Sequence, residues 1–348
     1  MQNSPIFIAS DLAASSFRTD DIPPKMAMTS EKQRNLPLCR AWRRVGGRIF
    51  DVAWSPASEQ LCTAGEDHGL IWSPSDDGNE PCPTVKLVPD GGGSSGNQGG
   101  GCMRCAWHPS GKYILTGSAA GVVTVHSAAD GSSVGSVRAA ANGEHEVYGL
   151  TVLSNEGLLG VGVGDTVQQW DLLHARQTAL TEFDAHESGV AFGGTRNPEG
   201  RAYVFSVAAR GRVLSASLSD GTCRLLDAQS LAPLHVLDEH ARRGASCFAC
   251  ALSPSSTQLA TAASDGVILL YDLRQLKRGS LGELGGHTSA VHGLAFAPAG
   301  SLGSSVDDGE LLTTGSNDGM VRIAGTRSCK YALSRPPPPR YSRHARRR

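Results

Sequence analysis

The chain has 348 residues, a formal net charge of −1, 40% hydrophobic residues and 19% charged residues. So balanced a charge excludes a global field that would draw the body of the protein to nucleic acid or a membrane surface. The apolar content is too high for a disordered chain, and no apolar stretch approaches the roughly 20 residues of a membrane-spanning helix.

Met1 to Pro24 carries Asp11, Asp20 and Asp21 and lacks the basic start and apolar core of a secretory leader. Residues 1–35 read as a disordered segment, and the folded body is expected over 36–330. Its first unit closes an opening strand at Ser55-Pro56 and turns at Glu66-Asp67. A flexible glycine-rich loop, Pro89 to Gly101, leads to a second unit whose opening strand ends at His108-Pro109. The third unit runs Val147–Val152, Leu158–Val163 and Thr166–Asp171. The fourth ends Arg212 to Asp227 and contains the turn Ser219-Asp220-Gly221. The fifth is the clearest: Cys247–Pro254, Leu259–Gly266 and Val267–Asp272. The sixth opens at Val291–Pro298, carries a longer hairpin over Ala299–Gly309, and continues Leu311–Gly319. After Lys330 come four prolines, Pro336 to Pro339, and Arg335, Arg340, Arg343, Arg346, Arg347 and Arg348, with no acid. Residues 331–348 read as a disordered basic tail. It offers a polyproline ligand, a nuclear-import or nucleic-acid contact, or no partner at all.

Each unit is a set of short strands joined by Gly, Ser, Asp or Asn turns, the form of antiparallel hairpins. A period of about 40–50 residues decides the architecture before any single motif does. The marks Gly286-His287, Ser316-Asn317-Asp318-Gly319, Trp170-Asp171 and Tyr271-Asp272 resemble those of WD-repeat β-propellers over residues 46–330. The resemblance implies an all-β fold: a single propeller of four-stranded antiparallel blades. Six blades are recognisable, and a seventh would be assembled from residues 36–48 and the chain end, because an open ring leaves strand edges unpaired. It also implies a hydrogen-bonded network within each blade, drawn here from Asp67, Trp170, Asp220, Asp265, His287 and Asp318, with weaker histidine matches at His145, His186 and His240. The tryptophan position departs from the family pattern at His126, Leu226, Tyr271 and Ala324.

Two motifs suggest other chemistry. Cys102-Met103-Arg104-Cys105 and Cys247-Phe248-Ala249-Cys250 have the spacing of a four-cysteine zinc site. Residues i and i+3 of a regular strand face opposite sides, so core thiols are expected instead and no metal. Leu159-Gly160-Val161-Gly162-Val163-Gly164 resembles a phosphate loop, but a strand and turn follow it where a helix N-terminus is needed. No cofactor is expected. No nucleophile stands beside a base in any recognisable pattern, so no catalytic residue is assigned. The nine cysteines are an odd, scattered set that reads as reduced thiols of the cytosol or nucleus.

The expected function is that of a non-catalytic scaffold or adaptor in a multiprotein complex, docking peptides or protein surfaces on the loop face. The resemblance places contacts at Glu66, Tyr148, Ser219, Ser264, His292 and Asn317. Two alternatives stand beside it. Tyr271, Asp272 and Arg274 resemble the box by which some WD-repeat proteins dock on a cullin–RING ligase adaptor, which would make the chain a substrate receptor. An enzyme with an unrecognised channel site is the other. Partners are expected to be proteins, with no membrane, and nucleic acid only through the tail.

Overall fold

A computed structural model of the chain describes residues 48–58, 60–73, 83–90, 101–140, 145–154, 157–186, 200–297 and 311–326. The expectations for residues 1–35, for the tail 331–348 and for most of the two long loops lie outside the described residues.

Six antiparallel sheets follow one another along the chain. Blade 1 contains β1 (Ile49–Trp54), β2 (Leu61–Gly65), β3 (Gly69–Trp72) and β4 (Pro83–Leu87). Blade 2 contains β5 (Cys102–Trp107), β6 (Tyr113–Ser118), β7 (Val122–Ser127) and β8 (Ser133–Arg138). Blade 3 contains β9 (Val147–Val152), β10 (Leu158–Val163), β11 (Thr166–Asp171) and β12 (Arg176–Glu182). Blade 4 contains β13 (Val204–Arg210), β14 (Val213–Leu218), β15 (Cys223–Asp227) and β16 (Pro233–Leu237). A short helix, α1 (Glu239–Arg242), leads to blade 5: β17 (Cys247–Leu252), β18 (Gln258–Ala263), β19 (Ile268–Asp272) and β20 (Gly282–Leu284). Blade 6 has three described strands, β21 (Val291–Phe296), β22 (Leu311–Ser316) and β23 (Val321–Gly325). No seventh sheet occurs among the described residues.

The first strands β1, β5, β9, β13, β17 and β21 pack against one another in sequence order and line the centre. Crowding there explains the small residues of the second strands. A Cβ on Gly117 of β6 would come 2.5 Å from Val147 Cγ1, and one on Gly162 of β10 would come 2.6 Å from Val204 Cγ1. Either contact is too close for real atoms, so these two positions need glycine; at the equivalent place before Val291, β18 carries Ala262. This is also the role of the glycine-rich run Gly160–Gly164, which packs within β10 and the turn after it.

The core lies between blades. Cys62, Ala64, Ile71 and Leu87 of blade 1 bury against Cys102, Cys105, Trp107 and Ile114 of blade 2. Ala249, Ala262, Ile268 and Leu270 of blade 5 do the same against Val291 and Leu312 of blade 6. Trp107 further donates its indole N–H to the Ala53 carbonyl, one blade back, at 2.9 Å.

Candidate functional site

Every innermost strand carries a β-bulge at the same place, between its first and third residues. A bulge inserts one residue that the ladder cannot pair and turns it out of the sheet. The residues so released are Phe50, Met103, Tyr148, Phe205, Phe248 and His292. They stand at one end of the channel, because each strand begins there.

Four of them form a continuous aromatic arc over blades 3 to 6. Ring centroids are 6.4 Å apart for Tyr148 and Phe205, edge to face, and 5.2 Å for Phe205 and Phe248. Phe248 and His292 stack at 4.6 Å with 13° between planes. Phe205 is buried, and the other three are half-buried. Burial and the nearby Arg104 charge hold the His292 imidazole down to about 4, so the stacked ring is neutral at physiological pH. Burial and a hydrogen bond to Glu146 raise the Tyr148 hydroxyl above its ordinary range.

Beneath the arc, Arg104 crosses the channel. Its Nε donates to the Tyr148 carbonyl at 2.6 Å and its Nη2 to the Phe205 carbonyl at 2.9 Å. Its Nη1 lies 4.0 Å from Asp51 Oδ1. The bulges free those carbonyls from the ladder, and the guanidinium satisfies two blades at once. Asp51 accepts the amides of Val52 and Cys105. Burial still raises its carboxyl, against the pull of Arg104 and those amides. The channel cavity is about 370 Å³ and includes Asp51, Arg104, Tyr148 and His292 in its lining.

The remaining expected contact residues gather at the same end. The amides of Glu66, Ser219, Ser264 and Asn317 donate to the carbonyls of Arg48, Tyr203, Ser246 and Ala290, each one or more residues before or at the head of a first strand. Glu66, Ser264 and Asn317 are exposed. Ser219 is 5% exposed: its hydroxyl accepts the Tyr203 amide, and its carbonyl accepts the Ser246 hydroxyl. Its side chain is committed to the turn.

The network implied by the family likeness forms with its histidine and aspartate together in blade 6. There His287 Nδ1 lies 2.9 Å from Asp318 Oδ2, and its Nε2 lies 2.7 Å from Thr314 Oγ1. Burial alone would raise the Asp318 carboxyl, but His287 and the amides of Thr288 and Met320 hold it down to about 2. In blade 5, His240 reaches Thr261 at 2.9 Å while Asp265 pairs with Arg243 instead. Burial lowers His240 to about 4. In blade 4, Asp220 accepts the backbone N–H of His186, the hydroxyl of Thr222 and Arg224. In blade 3, Trp170 donates to Gln168 at 2.8 Å. In blade 2, His126 stands at the tryptophan position and bonds Thr116 at 2.9 Å. In blade 1, Trp72 donates to Thr63 at 3.0 Å. Asp67 is exposed at its turn, and His145 lies 6.3 Å from the Tyr203 ring, centroid to centroid.

The bulges also correct the argument about the cysteine pairs. With an extra residue between them, Cys102 and Cys105 are both buried in the interface with blade 1, and Cys247 and Cys250 are both buried in the interface with blade 4. The described residues hold no group of three or more His, Cys, Asp or Glu placed to bind a metal ion, and six free thiols are buried among them. On the opposite rim, Tyr271 is buried while the Arg274 side chain is 71% exposed and gripped by Asp272 at 2.9 and 2.8 Å. Among the described residues, no helix is long and apolar enough to cross a membrane.

No curated protein matches the chain. The family described as "WD domain, G-beta repeat" matches residues 94–127, 231–272 and 278–323. Those segments fall in blades 2, 4–5 and 5–6, and the intervening sheets repeat the same strand order, bulge and turn. Three segments of the chain thus match WD repeats, and the described sheets form a six-bladed β-propeller.

Proposed function

We propose that the protein is a non-catalytic interaction scaffold that docks a peptide or protein surface on the channel mouth. The observation that carries this reading is the aromatic arc Tyr148–Phe205–Phe248–His292. Half-buried aromatic rings on a rigid frame supply large contact area at small entropic cost, the property of an interface anchor. Glu66, Ser264 and Asn317 form a polar rim around it, and Tyr148 and His292 belong to the anchor itself. WD-repeat propellers commonly bind other proteins and are generally non-catalytic, which agrees with this use of the mouth. The partners are subunits of a larger complex in the cytosol or nucleus.

Co-purification tests the reading. Phe248→Ala removes the central ring of the arc, and loss of the proteins that co-purify with the wild type is the expected result. An unchanged set of partners would overturn the mouth as the docking surface. A second reading rests on the exposed Arg274 side chain, held by the buried Asp272 carboxylate at the other rim: docking on a cullin–RING ligase adaptor. Arg274→Ala would then abolish co-purification of ligase subunits, and their absence from the wild type would remove the idea.

A further inference from the structure

We propose that a groove between blades 4 and 5, on the rim opposite the aromatic arc, is a second docking site, and that its occupant is an extended acidic segment of a partner protein with a large apolar side chain between its carboxylates. The groove measures about 670 Å³ and lies between the outer strands of blade 4 and the connection from β19 to β20. It shares no lining residue with the channel cavity.

The chain builds this groove by departing from its own repeat. Blades 2, 3 and 4 join their third and fourth strands through residues 128–132, 172–175 and 228–232, whereas blade 5 uses the longer stretch 273–281. That stretch winds into a 3-10 turn, Leu276–Arg278, and leaves only Gly282–Leu284 for the fourth strand. Leu273 and Leu276 tuck back against the core between blades 4 and 5. Lys277 and Arg278 are left exposed at the lip.

An apolar floor and unmatched positive charge meet there. Val213, Leu225, Leu273 and Leu276 line the floor, and Leu234 of β16, 55% exposed, stands at its edge. No Asp or Glu is among the described residues that line the groove. Arg274 is already held by Asp272 at 2.8 Å. In the adjoining cleft Arg242 is held by Asp238 at 2.7 Å, and Glu239 accepts the Ser280 amide at 2.8 Å. Lys277 and Arg278 form no ion pair among the described residues. Two free cations beside a leucine-lined floor complement carboxylates that flank a leucine, isoleucine or phenylalanine.

The frame favours a peptide over a lipid surface. β16 is the outermost strand of its sheet and borders the groove through Leu234 and His235. Its free backbone edge can pair with an extended chain. Anionic lipid is recognised by clusters of about four to eight Lys or Arg, more than this loop offers.

A display library of random peptides, panned against the full chain, tests this. It should enrich sequences with acids on both sides of a large apolar residue. One enriched peptide, synthesised with a fluorophore, should bind in anisotropy titrations and weaken as salt is added. The double variant Lys277→Glu and Arg278→Glu should weaken it by about tenfold or more, with Tm within about 2 °C of the wild type because both positions are exposed. Phe248→Ala, at the channel mouth, should leave its affinity unchanged, which separates this site from the mouth. Enrichment of sequences without acids, or an affinity unmoved by the double variant, would overturn the proposal. Loss of binding through Phe248→Ala would assign the acidic segment to the mouth and overturn the groove. Flotation with phosphatidylserine vesicles that requires Lys277 and Arg278, with no peptide enriched, would overturn the peptide in favour of a lipid surface.

Discussion

Arg104→Met removes a side chain that reaches from blade 2 to blades 1, 3 and 4 across the channel. The Arg104 side chain is 16% exposed, and its guanidinium donates to the carbonyls of Tyr148 and Phe205 and lies beside Asp51. A hydrogen bond from a charged donor contributes about 1.5–3 kcal/mol, and a buried acceptor left unpaired costs about 1–3 kcal/mol. Methionine keeps the apolar stem, so packing changes little. Water in the channel cavity can solvate part of what is exposed, which brings the expected loss to about 3 kcal/mol. At about 2–4 °C per kcal/mol for a domain of this size, Tm should fall by roughly 6–12 °C in a thermal scan. Arg104→Lys should recover less than half, because a single ammonium cannot reproduce the planar fork. The same variant has a second readout. Burial and Arg104 together hold the His292 ring down; with the charge gone its pKa should rise, by NMR titration, while burial still keeps it below the free value. A Tm change under about 2 °C with an unmoved His292 titration would refute the bridging role.

Gly117→Ala should destabilise by about 1–3 kcal/mol through the clash with Val147. Adding Val147→Ala should return part of that loss, and strict additivity in a double-mutant cycle would deny the contact. Burial lowers His126, and it lowers His240 and His292 to about 4. The unfolded imidazoles take up protons first, so stability should fall as pH drops from about 6.5 to 4; for fully buried His240 the loss is on the order of 3 kcal/mol. Denaturant midpoints that stay flat across that window would contradict it. Trp72→Phe removes the hydrogen bond to Thr63 and should cost about 1–2 kcal/mol by denaturant unfolding; a neutral result would show the bond adds nothing. Arg274→Ala, at an exposed rim, should leave stability within about 0.5 kcal/mol, and a larger drop would mark Arg274 as structural.

The blades were legible because hairpin turns leave a local trace: Asp-Gly at Asp220, Asp265 and Asp318, and proline after the first strand at Pro56, Pro109 and Pro254. Half of the mouth was legible too. Tyr148 and His292 were singled out, but Phe205 and Phe248 occupy the same strand position and carry the same signal. Arg104 left none, since its partners are backbone carbonyls 44 and 101 residues away. The bulges were equally silent. They arise from how six strands crowd one axis, and they reversed the expectation that Cys102 and Cys105 face apart. Asp265 left its expected histidine because α1 delivers Arg243 to it, within 3.1 Å, an ion pair that blade spacing does not reveal.

The claim that the mouth docks a protein is tested most directly by a photo-crosslinking residue placed at Phe248 in the native cell, with the same residue at Leu173 on the exposed opposite rim as reference. Crosslinks from position 248 to one defined protein, absent from position 173, are the expected result. Crosslinks from position 173 alone, or none from 248 above background, would contradict the scaffold reading of the aromatic arc.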